Sequence, residues 1–113
     1  DSLCVNLGDK KWAEKIYKIA ENEAKHSYEL RWIADGICKN LGEMEWGKKA
    51  YKKAEEKATL FYEFRWLAES LCENLGDKKW AKTIYNKAEN VTRYPFDFDC
   101  LVKSALKNLG EYQ

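Results

Sequence analysis

The chain of 113 residues is 45% hydrophobic and 35% charged, a composition that supports folding and differs from that of a disordered tail. Its 20 basic and 19 acidic residues give a net charge of +1, which argues against nucleic-acid binding through bulk positive charge and against a polybasic membrane anchor. The longest uncharged runs are only a few residues, so we expect no segment that spans a bilayer.

The motif Asn-Leu-Gly occurs four times at a spacing of 34 residues, beginning at Asn6, Asn40, Asn74 and Asn108. A tryptophan lies four residues beyond each of the first three glycines, at Trp12, Trp46 and Trp80. A fixed period of this kind is typical of repeat proteins, in which each unit buries its apolar face against its neighbours. We therefore interpret residues 1–113 as one domain of about three repeats, with junctions near residues 8, 42, 76 and 110.

One helix of each repeat is predicted after the glycine. In the first copy it covers roughly Lys10–Ala24, with apolar residues at helical spacing: Ala13, Ile16, Tyr17, Ala20 and Ala24. Asp9 and Asp77 are expected to cap these helices, and Glu43 and Glu111 are weaker equivalents. The three tryptophans are expected to pack between neighbouring repeats.

The other helix of each repeat precedes Asn-Leu-Gly. Its apolar stripe in the first complete copy is Leu30, Ile33, Ala34, Ile37, Cys38 and Leu41, and equivalent stripes follow 34 and 68 residues later. The glycine after each leucine fits a left-handed cap, because glycine adopts a positive φ without a Cβ penalty. Pro95 is expected to open the last of these helices, roughly Phe96–Leu109. The sequence thus predicts an all-α chain of about six helices.

Small and aromatic residues at fixed distances from the glycine resemble the tetratricopeptide repeat. The matching positions are Gly8, Ala13, Tyr17, Ala20; Gly42, Gly47, Tyr51, Ala54; and Gly76, Ala81, Tyr85, Ala88. The half-a-TPR variant of RNA-processing scaffolds is similar in the same helix. The resemblance implies a right-handed α-solenoid of antiparallel helix pairs. It also implies a non-catalytic scaffold that holds a peptide or partner protein on a surface lined by the first helix of each pair.

The first helix departs from the family pattern. Asp35, Glu69 and Lys103 stand where the family has a small packed residue, and Gly36, Ser70 and Ser104 follow one position later.

Aromatic residues on the first helices are the candidate partner-binding site. On a helical wheel Trp32 points away from the stripe centred near Ala34 and Ile37. The predicted contact set is this outward arc in two copies: Tyr28, Trp32, Lys39, Tyr62, Trp66 and Glu73. Gly36 and Ser70 predict a notch beside each tryptophan. The alternative is that Trp32 and Trp66 pack on neighbouring first helices and only line the wall.

An alternative function is self-assembly. Residues 1–8 are expected to supply only the end of a first helix, and the sequence stops where a further second helix would begin. We therefore expect incompletely covered apolar residues at both ends of the repeat: Trp12, Ile16 and Ile19 at one, and Leu101, Ala105 and Leu109 at the other. Head-to-tail stacking of copies would cover both sets, as would further repeats in a longer parent protein.

No pattern in the sequence predicts catalysis. His26 is the only histidine and has no nucleophile motif near it, and no Cys-x-x-Cys or glycine-rich phosphate loop is present. We expect no enzyme activity, cofactor, bound metal or nucleic-acid partner. The cysteines share one repeat position too widely spaced for disulfides, apart from Cys100 at the outward arc. With no signal peptide visible, this favours a cytoplasmic location over a secreted one.

Overall fold

A computed structural model describes the backbone of residues 7–110 and the side chains of residues 9–110, and this part of the chain contains helices and no strand. The chain divides into two compact units, Asp1–Glu56 and Lys57–Gln113. The first unit contains α1 (Leu7–Glu23), α2 (Ser27–Gly36, continued by a π-helical turn over Ile37–Leu41) and α3 (Met44–Lys57), of which only the last residue falls in the second unit. The second contains α4 (Phe61–Ser70, continued by a π-helical turn over Leu71–Leu75), α5 (Lys78–Val91) and α6 (Pro95–Leu109). The predicted all-α class is confirmed for the described residues.

The starts of the helices follow the predicted caps in part. Asp77 caps α5, where its Oδ1 accepts a hydrogen bond from the backbone N–H of Trp80 at 3.0 Å, and Pro95 opens α6 as predicted. The prediction for Asp9 is wrong, because α1 already begins at Leu7 and Asp9 lies in its first turn. Glu111 lies outside the described residues, as do residues 1–6 and with them Cys4.

Acidic residues three positions into α2 and α4 stabilise these helix starts, which the sequence analysis did not anticipate. Glu29 Oε1 accepts hydrogen bonds from the backbone N–H groups of Lys25 and His26, at 2.8 and 3.0 Å. These two bonds lower the pKa of Glu29, because they favour the ionised carboxylate. Glu63 makes the same pair of bonds with Thr59 and Leu60.

Glycines end α2 and α4 in the predicted left-handed conformation. Gly42 has φ 68° and ψ 18°, and Gly76 has φ 64° and ψ 20°. The turns that precede them are one residue wider than an α-helical turn, because the N–H of Gly42 reaches the carbonyl of Ile37 and that of Gly76 reaches the carbonyl of Leu71, five residues earlier in each case. Gly110 also has a positive φ of 56°, but its ψ of −125° lies outside the left-handed helical region.

The predicted apolar stripe is buried in α2 and α4 but only half buried in α6. In α2, Leu30, Ala34 and Ile37 are nearly inaccessible, and the equivalent residues of α4 are buried as well. Leu101 and Leu109 of α6 are buried against the rest of the chain, whereas three others of its stripe stay exposed: Phe98, Val102 and Leu106. Leu101 and Leu109 are therefore better covered than expected and Ala105 is half buried, although all three still line an open groove beside α5.

Candidate functional site

Aromatic side chains pair on the outward arc of both α2 and α4. The rings of Tyr28 and Trp32 meet edge to face at 5.3 Å between centroids, and Trp32 is 59% exposed. Tyr62 and Trp66 repeat this contact at 5.0 Å, although Trp66 is half buried. At the start of α2 the rings of His26 and Tyr28 are stacked, with 5.5 Å between their centroids. Both units therefore present a T-shaped aromatic pair at the same repeat position.

A groove with a volume of about 500 Å³ lies between α4 and α6 in the second unit. Its aromatic walls come from the starts of both helices: Phe61, Tyr62, Tyr94 and Phe96. Tyr94 and Phe96 are 68% and 74% exposed, which is unusual for aromatic side chains of this size. Cys100 lines the same groove one turn further along α6. The groove is thus an open concave surface to which four aromatic side chains contribute, beside aliphatic and charged ones.

Charged groups stand among these aromatic walls. The guanidinium of Arg65 lies 5.9 Å from the ring centroid of Phe61 and 5.8 Å from that of Trp66, and its Nη1 bonds Glu69 Oε2 at 2.9 Å. Its Nε is buried and has no hydrogen-bond partner among the described residues. Arg93 and Asp97 add one charge of each sign to the groove. The lining therefore combines aromatic rings with charged groups of both signs.

The predicted contact set is only partly assembled at this groove. Tyr62 lines it, and Trp66 borders it through its contacts with Tyr62 and Arg65. Glu73 is exposed on the π-helical turn at the other end of α4 and does not line the groove. Tyr28, Trp32 and the exposed Lys39 belong to the other compact unit.

The most exposed residues of the groove were missed by the sequence analysis. Phe96 lies 34 residues after Tyr62 and Tyr94 lies 34 residues after Leu60, so the repeat register carried a signal for both. Cys100 stands at the position of Trp32 and Trp66 in the third copy, and Phe96 keeps an aromatic residue one turn earlier. Arg65 and Arg93 had no comparable signal, because a single arginine on a charged helix or in a connecting turn resembles any solvated residue.

The predicted notch beside Trp32 is absent. A Cβ added to Gly36 would lie 2.8 Å from Cζ of Tyr17, so the space over Gly36 is filled by the tyrosine of α1. Ser70 and Ser104 occupy the equivalent positions of α4 and α6, and both are buried. The small residue of this repeat therefore accommodates a tyrosine of a second helix instead of opening a site for a partner.

A partly buried polar network joins the acidic residue of the first helix to the tyrosine of the second. Tyr85 Oη and Ser104 Oγ are 2.7 Å apart, and Ser104 Oγ donates to Glu69 Oε2 at 2.6 Å. In the first unit the hydroxyl of Tyr51 donates directly to Asp35, which also pairs with Arg31. The acidic residue is thus an acceptor in a tyrosine network. Burial raises the pKa of Tyr85 because it disfavours the phenolate.

The asparagine of the recurring motif bonds the tyrosine of the preceding second helix in two copies. Asn40 Nδ2 donates to Tyr17 Oη at 2.8 Å, and Asn108 Nδ2 donates to Tyr85 Oη at 3.1 Å. Each pair spans 23 residues, from a second helix to the end of the following first helix. The motif therefore combines a side-chain hydrogen bond with a positive-φ glycine two residues later.

The cysteines show no disulfide within the described range. Cys38, Cys72 and Cys100 are free, and burial raises the pKa of the Cys38 and Cys72 thiols, which disfavours their reactive thiolates. In residues 9–110 no three His, Cys, Asp or Glu side chains come together as a metal-binding group. None of the described helices has the length and apolar character to cross a membrane.

A scan against models of protein families, a search of curated proteins and a search of solved structures find no match to this chain. The described helices define the class as that of an all-α protein, and its second unit carries a groove with aromatic side chains. The tetratricopeptide likeness stays a prediction that rests on the residues which carry it.

Proposed function

We propose that this chain is a non-catalytic scaffold of the tetratricopeptide-like, right-handed α-solenoid class, and that it binds an extended peptide segment of a protein partner. The observation that carries the proposal is the aromatic-walled groove of about 500 Å³ between α4 and α6, the two first helices of the second unit. This is the kind of surface on which the family resemblance places a partner.

Exposed aromatic side chains favour binding over a purely structural role. Tyr94 and Phe96 leave most of their surface in water, and an aromatic residue buries roughly 150–250 Å² when it finds a partner. Tyr85, by contrast, is buried, and its hydroxyl is already hydrogen-bonded to Ser104 and Asn108. Ligand binding is therefore assigned to the groove and structural support to the tyrosine network.

The charges in the groove define the peptide. Arg65 is held between Phe61 and Trp66 and keeps a buried Nε, and Arg93 is exposed nearby. A peptide with an apolar side chain next to an aspartate or glutamate would fill the aromatic walls and pair with an arginine. Asp97 and Glu69 oppose a polyanion such as single-stranded RNA, although its bases would also stack on these rings.

The proposal can be tested with a displayed library of short random peptides selected on the immobilised chain. Enriched peptides should share an apolar residue beside an acidic one. For a labelled synthetic peptide of that type, Phe96→Ala should weaken binding by about tenfold or more in fluorescence anisotropy, and Arg93→Glu should weaken it as well. Both side chains are exposed, so the helical circular dichroism signal should not change.

Trp12→Ala is the matched control, because it removes an equally exposed aromatic residue from α1 and should leave peptide binding intact. Equal enrichment of the same peptides on the Phe96→Ala chain would contradict the proposal. Tighter binding of labelled oligouridine than of any selected peptide would replace the peptide with RNA as the ligand.

A further inference from the structure

A second groove, of about 300 Å³, runs between α5 and α6 and is separate from the proposed peptide site. From α5 it is lined by Lys82, Tyr85, Asn86 and Glu89. From α6 it is lined by part of the apolar stripe, including Phe98 and Val102, which are 43% and 53% exposed. This groove therefore contains part of the apolar surface that α6 leaves uncovered, and the exposed Leu106 does not line it.

The first unit shows what packs on the equivalent surface. Tyr17 and Glu21 of α1 stand 68 residues before Tyr85 and Glu89, and in the first unit they are contacted by Trp46 of α3. The ring of Trp46 meets Tyr17 edge to face at 6.5 Å between centroids, and its Nε1 donates to Glu21 Oε1 at 3.2 Å. The predicted packing of this tryptophan between repeats is confirmed by these contacts.

Helix α3 also covers the stripe of α2 that corresponds to the exposed stripe of α6. A Cβ added to Gly47 would collide with Sγ of Cys38, so the two helices are in direct contact at this point. Cys38 corresponds to Leu106 of α6, which is 59% exposed. The occupant that fits the α5–α6 groove is therefore a second helix with a tryptophan at the position of Trp46.

Helix α1 is such a helix, and its tryptophan is exposed. Trp12 lies 34 residues before Trp46 and is 63% exposed, and Ile16, one turn later, is 41% exposed. Trp12 is thus an exception to the prediction that all three tryptophans pack between repeats. Ala13, at the position of Gly47, is already buried within its own chain, so the free face of α1 is the one that carries Trp12 and Ile16.

The charges are complementary as well. In the first unit Lys10 Nζ of α1 lies 3.6 Å from Glu43 Oε2, just before α3. The equivalent residues at the new junction are Lys78 at the start of α5 and Asp9 of the incoming α1, which keep the same pair of signs. Glu89 likewise keeps the acceptor that Trp46 uses in Glu21.

We propose that α1 of a second copy of this chain docks in the α5–α6 groove, with Trp12 against Tyr85 and its Nε1 bonded to Glu89. The contact uses different surfaces on the two copies, so each copy can bind one neighbour through Trp12 and another through the groove. Ile16 would then lie against the exposed side of the α6 stripe. This inference is independent of the peptide site.

Light scattering coupled to gel filtration over a concentration series tests the association. The wild-type mass should rise with concentration from the 13.3 kDa of one chain to at least twice that value. Trp12→Ala and Val102→Glu should each hold the chain at the monomer mass, and both residues are exposed enough for the fold to persist. Trp32→Ala is the control, because Trp32 is 59% exposed on α2 and should not affect the mass.

Mixing the two defective chains separates this contact from other dimers. The Trp12→Ala chain keeps an intact groove and the Val102→Glu chain keeps an intact Trp12, so an equimolar mixture should form a dimer that grows no further. A wild-type chain that stays monomeric at high micromolar concentration would overturn the proposal. A mixture that stays monomeric, or a Trp32→Ala chain that is as defective as Trp12→Ala, would overturn it too.

Discussion

Helices α2 and α6 occupy the same repeat position 68 residues apart, yet they bury their apolar stripes differently. Leu30 and Ala34 of α2 are 2% and 0% exposed, whereas their equivalents Phe98 and Val102 of α6 are 43% and 53% exposed. The local pattern is apolar in both helices. The difference is that α3 covers the stripe of α2, while the equivalent side of α6 forms an open groove. Burial in a repeat protein is thus decided by the neighbouring helix and not by the residue.

The largest expected effect compares the two stripes directly. Leu30→Ala should lower the free energy of unfolding by about 2–5 kcal/mol, because it leaves a cavity in a core position. Phe98→Ala removes a larger side chain but should cost about 1 kcal/mol or less, because much of its ring is already in water. Urea denaturation at low protein concentration, where self-association is absent, measures both values. Equal losses of unfolding free energy in the two variants would contradict the difference between the two stripes.

The next largest losses of stability are expected when the hydroxyl of Tyr85 or of Tyr17, which stand at the same repeat position, is removed. Tyr85→Phe should cost about 1–3 kcal/mol, since Ser104 and Asn108 both lose a partner in a buried network. Tyr17→Phe should cost about 0.5–1.5 kcal/mol, because the hydrogen bond from Asn40 is lost at a half-buried ring. The same denaturation experiment gives both differences. A larger loss of stability for Tyr17→Phe than for Tyr85→Phe would contradict this prediction.

A smaller effect compares the glycines that follow α2 and α6. Gly42→Ala should cost about 1–2 kcal/mol, because a Cβ is strained in the left-handed region. Gly42→Asn should cost less, since asparagine adopts this region more readily. At Gly110 the ψ of −125° lies outside that region, so asparagine should give no relief over alanine. Thermal melting of the four variants checks this, and rescue by asparagine at Gly110 would contradict it.

The smallest effect is the pH dependence of the Tyr85 network. Burial raises the pKa of the Tyr85 phenol in the folded chain, so the folded state holds the phenol proton more tightly than the unfolded state. The resulting stability is complete below the ordinary pKa of about 10 and is lost as the pH rises through the folded value. Tyr85→Phe should therefore lose less stability between neutral and strongly alkaline pH than the wild type. Parallel curves for the two proteins would contradict this assignment.

The sequence by itself determined the helices and their boundaries to within a few residues. The fixed period, the apolar spacing, Pro95 and the cap at Asp77 are local signals, because hydrogen bonds within a helix and between neighbouring residues decide them. The positive φ of Gly42 and Gly76 follows from the same local chemistry. The exposed Trp32 also follows from a helical wheel alone.

Tertiary structure alone decided which apolar residues are covered and what the polar ones contact. Leu101 and Phe98 have the same character in the sequence, but Leu101 is buried and Phe98 is 43% exposed. Gly36 predicts a notch, but the side chain of Tyr17, 19 residues earlier, fills the space over it. Asp35 and Glu69 became acceptors of a tyrosine network that joins separate helices. These outcomes depend on contacts between residues distant in the chain, which a periodic pattern along one helix does not contain.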